Sequence, residues 1–125
     1  MQRDTVQRRA IRKVFKDLGR PLSPSEILQT ARSQVPNLGI ATVYRSVKGL
    51  TDEGWLVPID VPGEPQRYEL SGKEHHHHFS CRQCGRMFDF EGCPKDLAKL
   101  VPHGFLMEDH EVFLYGRCAE CHKVR

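Results

Sequence analysis

The chain has 125 residues, room for one ordinary domain or two small ones at roughly 100 to 200 residues per domain, so a large multidomain enzyme is excluded. Apolar residues make up 38% and charged residues 28%, a globular mixture, and no apolar run approaches the ~18 residues that a spanning helix needs. The net charge of +3 hides an asymmetry: residues 1–56 carry ten Lys/Arg against five Asp/Glu, and residues 57–125 carry nine against eleven. All seven His and all five Cys fall between His75 and His122. Composition therefore separates a first part suited to polyanions from a second rich in metal ligands, with a boundary expected after Leu70. The opening Met1-Gln2-Arg3-Asp4 lacks the apolar core of a secretory signal, so a cytoplasmic location with reduced cysteines is expected.

From Val6, apolar residues recur at steps of three and four (Ala10, Ile11, Val14, Phe15, Leu18), the period of a helix with one buried face, which Gly19 ends. Arg9, Arg12, Lys13 and Lys16 share another face of it, which suits plain solvation as well as phosphate contact. Ser23-Pro24-Ser25-Glu26 reads as a capping box with proline at the first helical position, opening a second helix that buries Ile27, Leu28 and Ala31 and stops before Pro36. A third helix is expected from Ile40 to Glu53, with Ile40, Val43, Val47 and Leu50 inward and Gly54 as its terminator. Thr42, Tyr44, Arg45 and Lys48 are left outward. Two helices joined by a short Gly-containing turn, the second displaying polar and basic side chains, have the layout of a helix-turn-helix reader of the major groove; a plain helical bundle is the alternative. Two short strands, Trp55-Leu56-Val57 and Gln66 to Leu70, flank a Pro62-Gly63 turn and read as a wing, which favours nucleic-acid binding.

Cys81-x-x-Cys84 and Cys118-x-x-Cys121 are two knuckles, and in a reducing compartment four thiolates at this spacing read as a closed structural zinc site, with disulfides or redox thiols the alternative. The 33 residues between them are too many for a simple zinc ribbon. They read as a strand Met87 to Phe90, a short helix from Pro94 with Leu97 and Leu100 inward, and strands near Phe105-Leu106-Met107 and His110 to Tyr115. So few apolar residues make a weak independent core, and metal and dimerisation are expected to contribute. In His75-His76-His77-His78, strand alternation pairs His76 with His78 and His75 with His77 on opposite faces, suggesting two sites, with Glu69, Asp89, Asp96 and His110 as candidate further ligands. Cys93 stands outside both knuckles, either as a small residue at a helix start or as a spare metal or redox ligand. His103 and His122 read as surface residues.

The ordered segments Thr5 to Arg8, Ala41-Thr42-Val43-Tyr44-Arg45, Arg67-Tyr68-Glu69-Leu70, His75 to Gly85 and His110 to Cys121 together resemble the ferric uptake regulator (Fur) family of bacterial metal-dependent repressors, across nearly the whole chain. The resemblance implies an α+β architecture: an N-terminal winged helix-turn-helix over residues 1–70, followed by a small zinc-stapled α/β dimerisation domain over 71–125. It implies a homodimer that binds an inverted-repeat DNA operator when loaded with regulatory zinc or Fe(II), and neither a membrane nor a small-molecule substrate. Residue by residue, Tyr44 and Arg45 match recognition-helix positions and Arg3 a minor-groove contact. Cys81, Cys84, Cys118 and Cys121 match the structural zinc site. Glu69, His76, His78 and Asp89 match the sensor site, with Asp60 or Glu64 as a hinge ligand, and His75, His77, Asp96 and His110 match a second site. Pro21 occupies the position of a DNA-domain His found in iron- and peroxide-sensing members, and Glu69 stands where zinc-sensing members carry a Cys. Two other classes compete: a zinc hydrolase or deaminase, for which the His-x-Glu with Pro-Cys-x-x-Cys pattern is missing, and a protein-binding zinc module, against which the basic Tyr44-Arg45-Lys48 face argues.

Overall fold

The computed structural model describes residues 5–123, so Arg3 lies outside the described residues. The chain divides between Lys73 and Glu74 into two compact units.

The first unit contains α1 (Val6–Leu18), α2 (Pro24–Ala31), α3 (Ile40–Asp52) and a hairpin of β1 (Leu56–Ile59) and β2 (Arg67–Leu70). Local signals set each helix end. The Thr5 hydroxyl accepts from the Arg8 amide at 3.1 Å, and Gly19, at φ 63°, returns its amide to the Phe15 carbonyl. At α2 both arms of the Ser23–Glu26 capping box are made, at 3.3 and 3.2 Å. The apolar faces of the helices meet in a core of Ile11, Phe15, Leu22, Ile27, Val43, Val47, Leu50 and Leu56, all at most 1% exposed. Trp55 stands edge-on to Phe15, with ring centroids 6.2 Å apart. Inside this unit the buried Arg8 guanidinium pairs with Glu53, tying the start of α1 to the end of α3.

Ile40, expected inward, is 41% exposed. Helical side chains lean towards the N-terminus, so at the first position of α3 this one projects past the packed layer.

The wing pairs in antiparallel register from Leu56↔Leu70 to Ile59↔Arg67. Pro58 lies inside β1 rather than in the turn where its residue type placed it. It faces Tyr68, whose amide and carbonyl are both bonded on the other side to Leu22 at 2.9 Å. At that pair no ladder bond to β1 is made, so a residue without an N–H fits.

The second unit is a three-stranded sheet in the order β4-β3-β5, from β3 (His77–Cys81), β4 (Met87–Phe90) and β5 (Phe113–Gly116). β3 runs antiparallel to β4 and parallel to β5. A single 3-10 turn, Leu97–Leu100, replaces the expected helix, and Leu100, expected inward, is 76% exposed. Phe105-Leu106-Met107 forms no strand and is exposed throughout. Pro94, Pro102 and Gly104 break this stretch into turns too short to bury a face. Among the described residues the only buried hydrophobic side chains of this unit are Cys81, Met87 and Cys118.

The two cores therefore differ in kind. Phe15→Ala should destabilise the helical unit by about 3–5 kcal/mol, the usual cost of emptying a buried phenyl site. The single tryptophan, Trp55, reports it as a lowered denaturant midpoint in fluorescence.

Candidate metal centres and nucleic-acid interface

The outward face of α3 carries Thr42, Tyr44, Arg45 and Lys48, while Val43, Val47 and Leu50 hold the opposite face in the core. Tyr44 is 55% exposed. Arg45 donates to the Thr42 hydroxyl at 3.0 Å, and Lys48 pairs with Asp52 at 3.1 Å, so both cations are oriented by one-turn neighbours. Ile40 lies one turn before Tyr44 on the exposed side. An apolar group there suits a thymine methyl, and only the first-turn geometry, not the hydrophobic periodicity, reveals it.

In the second unit the knuckles converge. Cys81 ends β3 and is paired in register with Gly116 at the end of β5, two residues before Cys118. The sulfurs of Cys81, Cys84, Cys118 and Cys121 all lie within 4.8 Å of one another, and Cys84 Sγ is 3.8 Å from Cys118 Sγ. A tetrahedron with ~2.3 Å zinc–sulfur bonds has edges of ~3.8 Å, so this donor set fits zinc. Amides of Cys84 and Cys118 donate to Cys81 Sγ at 3.4 and 3.3 Å. With the Cys84 amide as the largest cause, against the cost of burial, they bring the Cys81 thiol down to about 5. Burial and the neighbouring thiols push Cys121 up to about 12. The Cys118 thiol is lowered too, chiefly by the Cys121 amide, so the cluster favours thiolates at Cys81 and Cys118 and resists one at Cys121, an imbalance that a cation would relieve. Arg86 donates to Cys84 Sγ at 3.1 Å and adds positive charge beside it.

The His run alternates as strand geometry requires. His76 and His78 share one face with ring centroids 4.8 Å apart, and His78 Nε2 is 3.5 Å from Asp89 Oδ1 across the β3–β4 pair. His76 Nδ1 donates to the Glu74 carbonyl at 2.7 Å, which makes Nε2 the ring atom that could ligate a metal. Glu69, in β2 of the first unit, is buried, with Lys73 Nζ 3.3 Å from its carboxylate. Of the two hinge candidates, Glu64 holds the buried Arg67 guanidinium at 2.7 Å and Asp60 accepts from the Gln66 amide at 2.6 Å. Pro21 is fully buried and brings no side-chain donor.

On the other face His75, His77 and His110 gather, with His75 Nε2 3.2 Å from the Nε2 atoms of both others. Asp96 does not join them; its side chain is 78% exposed and pairs with Lys99 at 3.4 Å. Cys93 takes the fourth place. His77 is 1% exposed, and burial first, then the nearby His75 and His110 rings, lower its pKa, so it is neutral at pH 7. The family resemblance implies Asp96 for this place, but Asp96 stands at the N-cap of the 3-10 turn and Cys93 precedes that turn. His103 and His122 are exposed, outside these clusters.

The sequence profile of the ferric uptake regulator family matches residues 2–115. The ferric uptake regulation protein of Campylobacter jejuni is 31% identical over 97% of this chain and 80% of its own length. That of Helicobacter pylori is 31% identical over 95% and 81%. Among solved structures, a zinc-bound manganese uptake regulator superposes with TM-score 0.82 at 30% identity, covering 94% of this chain and 91% of the other. The ferric uptake regulator of Francisella tularensis, solved with iron, gives 0.72 at 29% over 98% and 96%. The Helicobacter pylori regulator, described as having three functional metal-binding sites, gives 0.70 at 27% over 98% and 83%.

Cys81→Ser removes the sulfur at the junction of β3 and β5. Zinc content is expected to fall and the region beyond Glu74 to become protease-sensitive, while the Trp55 transition of the helical unit stays in place.

Proposed function

The chain belongs to the ferric uptake regulator family, and we propose that it acts as a metal-responsive repressor that binds an inverted-repeat operator as a homodimer. As a member it is a transcriptional regulator and not an enzyme. Among the described residues no helix is long and apolar enough to cross a membrane.

The observation that carries this reading is the pairing, in one chain, of a winged helix whose α3 displays Tyr44, Arg45 and Lys48 with the His76–His78–Asp89 group. In operator binding, α3 enters the major groove. Arg45 suits a bidentate hydrogen bond to guanine, Tyr44 and Thr42 suit base edges or phosphates, and Lys48 suits a phosphate. The resemblance makes Arg3, which lies outside the described residues, a candidate minor-groove contact. Two copies on a twofold axis set half-sites ~34–36 Å apart or multiples of it. The exposed Leu114 and Tyr115 of β5, with Phe105 and Leu106, supply apolar surface for that self-association.

Glu69, with Asp60 as a further hinge ligand, joins His76, His78 and Asp89 in holding a regulatory dication. Mixed imidazole and carboxylate donors suit both zinc and Fe(II). The Glu69 carboxylate is buried, 3.3 Å from Lys73 Nζ, so a metal ion there would share a charge that the lysine now compensates. Holding both units through one ion favours one domain angle, and the gain in operator affinity equals the differential affinity of metal for that angle. The four knuckle thiolates hold structural zinc and leave no open position for chemistry.

The deciding measurement strips weakly held metal, keeps the tight zinc, and titrates Zn(II) and anaerobic Fe(II) against operator affinity at one salt concentration. Activation at a lower free concentration by one ion names the sensed metal, and no activation by either sinks the mechanism. Arg45→Ala should cost about 1–3 kcal/mol of operator affinity with zinc content unchanged. His76→Ala should abolish the metal response while leaving the fold intact by circular dichroism.

A further inference from the structure

Cys93 belongs to neither knuckle, yet its sulfur is surrounded by imidazole nitrogen. Sγ lies 3.2 Å from His75 Nε2, 3.1 Å from His77 Nε2 and 3.3 Å from His110 Nε2. A tetrahedron with nitrogen bonds of ~2.0–2.1 Å and a sulfur bond of ~2.3 Å has edges of ~3.3–3.6 Å, and the distances of Cys93 Sγ to the three rings and of His75 to His77 and His110 already stand within a few tenths of an ångström of these. Two carboxylates close in sequence have other partners: Asp96 pairs with Lys99, and Asp109 Oδ1 accepts from the His110 amide at 2.8 Å. His77 anchors the group from the buried floor of the sheet, while Cys93 and His75 come from exposed backbone that can close on an ion.

We propose that His75, His77, Cys93 and His110 form a closed three-nitrogen, one-thiolate site for a thiophilic dication such as zinc or cobalt(II), with Cys93 as the residue that rejects hard ions such as Mn(II). A carboxylate in that corner would admit oxygen-seeking ions; a thiolate removes the only hard donor and adds a soft one. Binding releases the Cys93 thiol proton to solvent. It also moves the His77 ring proton from Nε2 to Nδ1, so the Val112 amide, which donates to His77 Nδ1 at 3.3 Å, must turn away. The proposal rests on the reading of the chain as a metal-binding regulator, but it does not need the sensor site to control DNA.

The test is cobalt(II) titration of the full chain with tight zinc retained, comparing the unaltered protein, Cys93→Ser and Asp96→Asn. A thiolate-to-cobalt charge-transfer band is expected in the unaltered protein and in Asp96→Asn, and its loss in Cys93→Ser, with zinc content and circular dichroism the same in all three. Zinc should bleach the band and excess Mn(II) should not. Competition should show zinc affinity at this site lower in Cys93→Ser by at least the ~10–100-fold that even a residue behind a ligand contributes. Metal should also protect Cys93 from alkylation. An unaltered protein without the band at cobalt saturation, or an undiminished band in Cys93→Ser, overturns the proposal. Operator binding in the same samples separates the two readings: a band without metal-dependent DNA binding would sink the repressor, and metal-dependent binding without a band would sink only this site.

Discussion

The arrangement of the second unit turns on four sulfur atoms gathered within 4.8 Å of one another, a group that a cation would stabilise as thiolates. Cys81 lies in β3 and Cys118 two residues past β5, strands that run parallel. Parallel neighbours cannot be joined by a tight turn, and the crossover here, residues 91–112, contains no buried hydrophobic side chain to hold it down. With Met87 the one buried aliphatic side chain among the described residues of this unit, hydrophobic burial at ~1.5–3 kcal/mol per large side chain falls far short of the entropy of ordering the strands. A dication among the thiolates would close both knuckles at once and fix β5 against β3. β3 begins with His77 and His78 of the His run, so the cysteine cluster also holds in place the strand that carries them.

The helical unit has a hydrophobic core of its own, and part of its charge is committed to that core. Arg8 and Arg67 are buried against Glu53 and Glu64, and Arg20 bonds the capping-box glutamate Glu26 at 2.8 Å. These cations serve the fold. The side chains that α3 turns outward are a small part of the basic excess of residues 1–56, yet they are the part held in regular helical spacing. A count of charge alone would have overstated the surface available for DNA.

What was legible in the sequence follows from the range of the interaction that encodes it. Ser23-Pro24-Ser25-Glu26, the Gly19 stop and the two Cys-x-x-Cys knuckles are signals complete within a few residues, and each appears where its chemistry places it. The alternation of the His run needs only strand geometry. Pro58 and Ile40 depart from the local pattern because their environment is set by a partner strand and by a helix end. Cys93 was the least legible. It sits in a stretch with no periodicity, and only the folded path brings it to His75, His77 and His110 in place of Asp96. The groups that join distant parts of the chain carry the functional content that local pattern omits.

Donor hardness also differs among the groups in residues 74–123: four sulfurs in one, three imidazoles with a sulfur in another, and two imidazoles with a carboxylate in the third. First-row dications share a single order of raw affinity for any one site, so a protein separates them by donor type and geometry. Placing soft donors where the fold needs permanence and a carboxylate on His78's face makes exchange easiest at the group whose ligands are split across β3 and β4. Coupling is reciprocal, so an ion that stabilises one domain angle is itself bound more tightly when DNA selects that angle. A weak, oxygen-bearing group is therefore the one suited to report free metal, because a site as closed as the knuckles would stay filled across the range to be sensed.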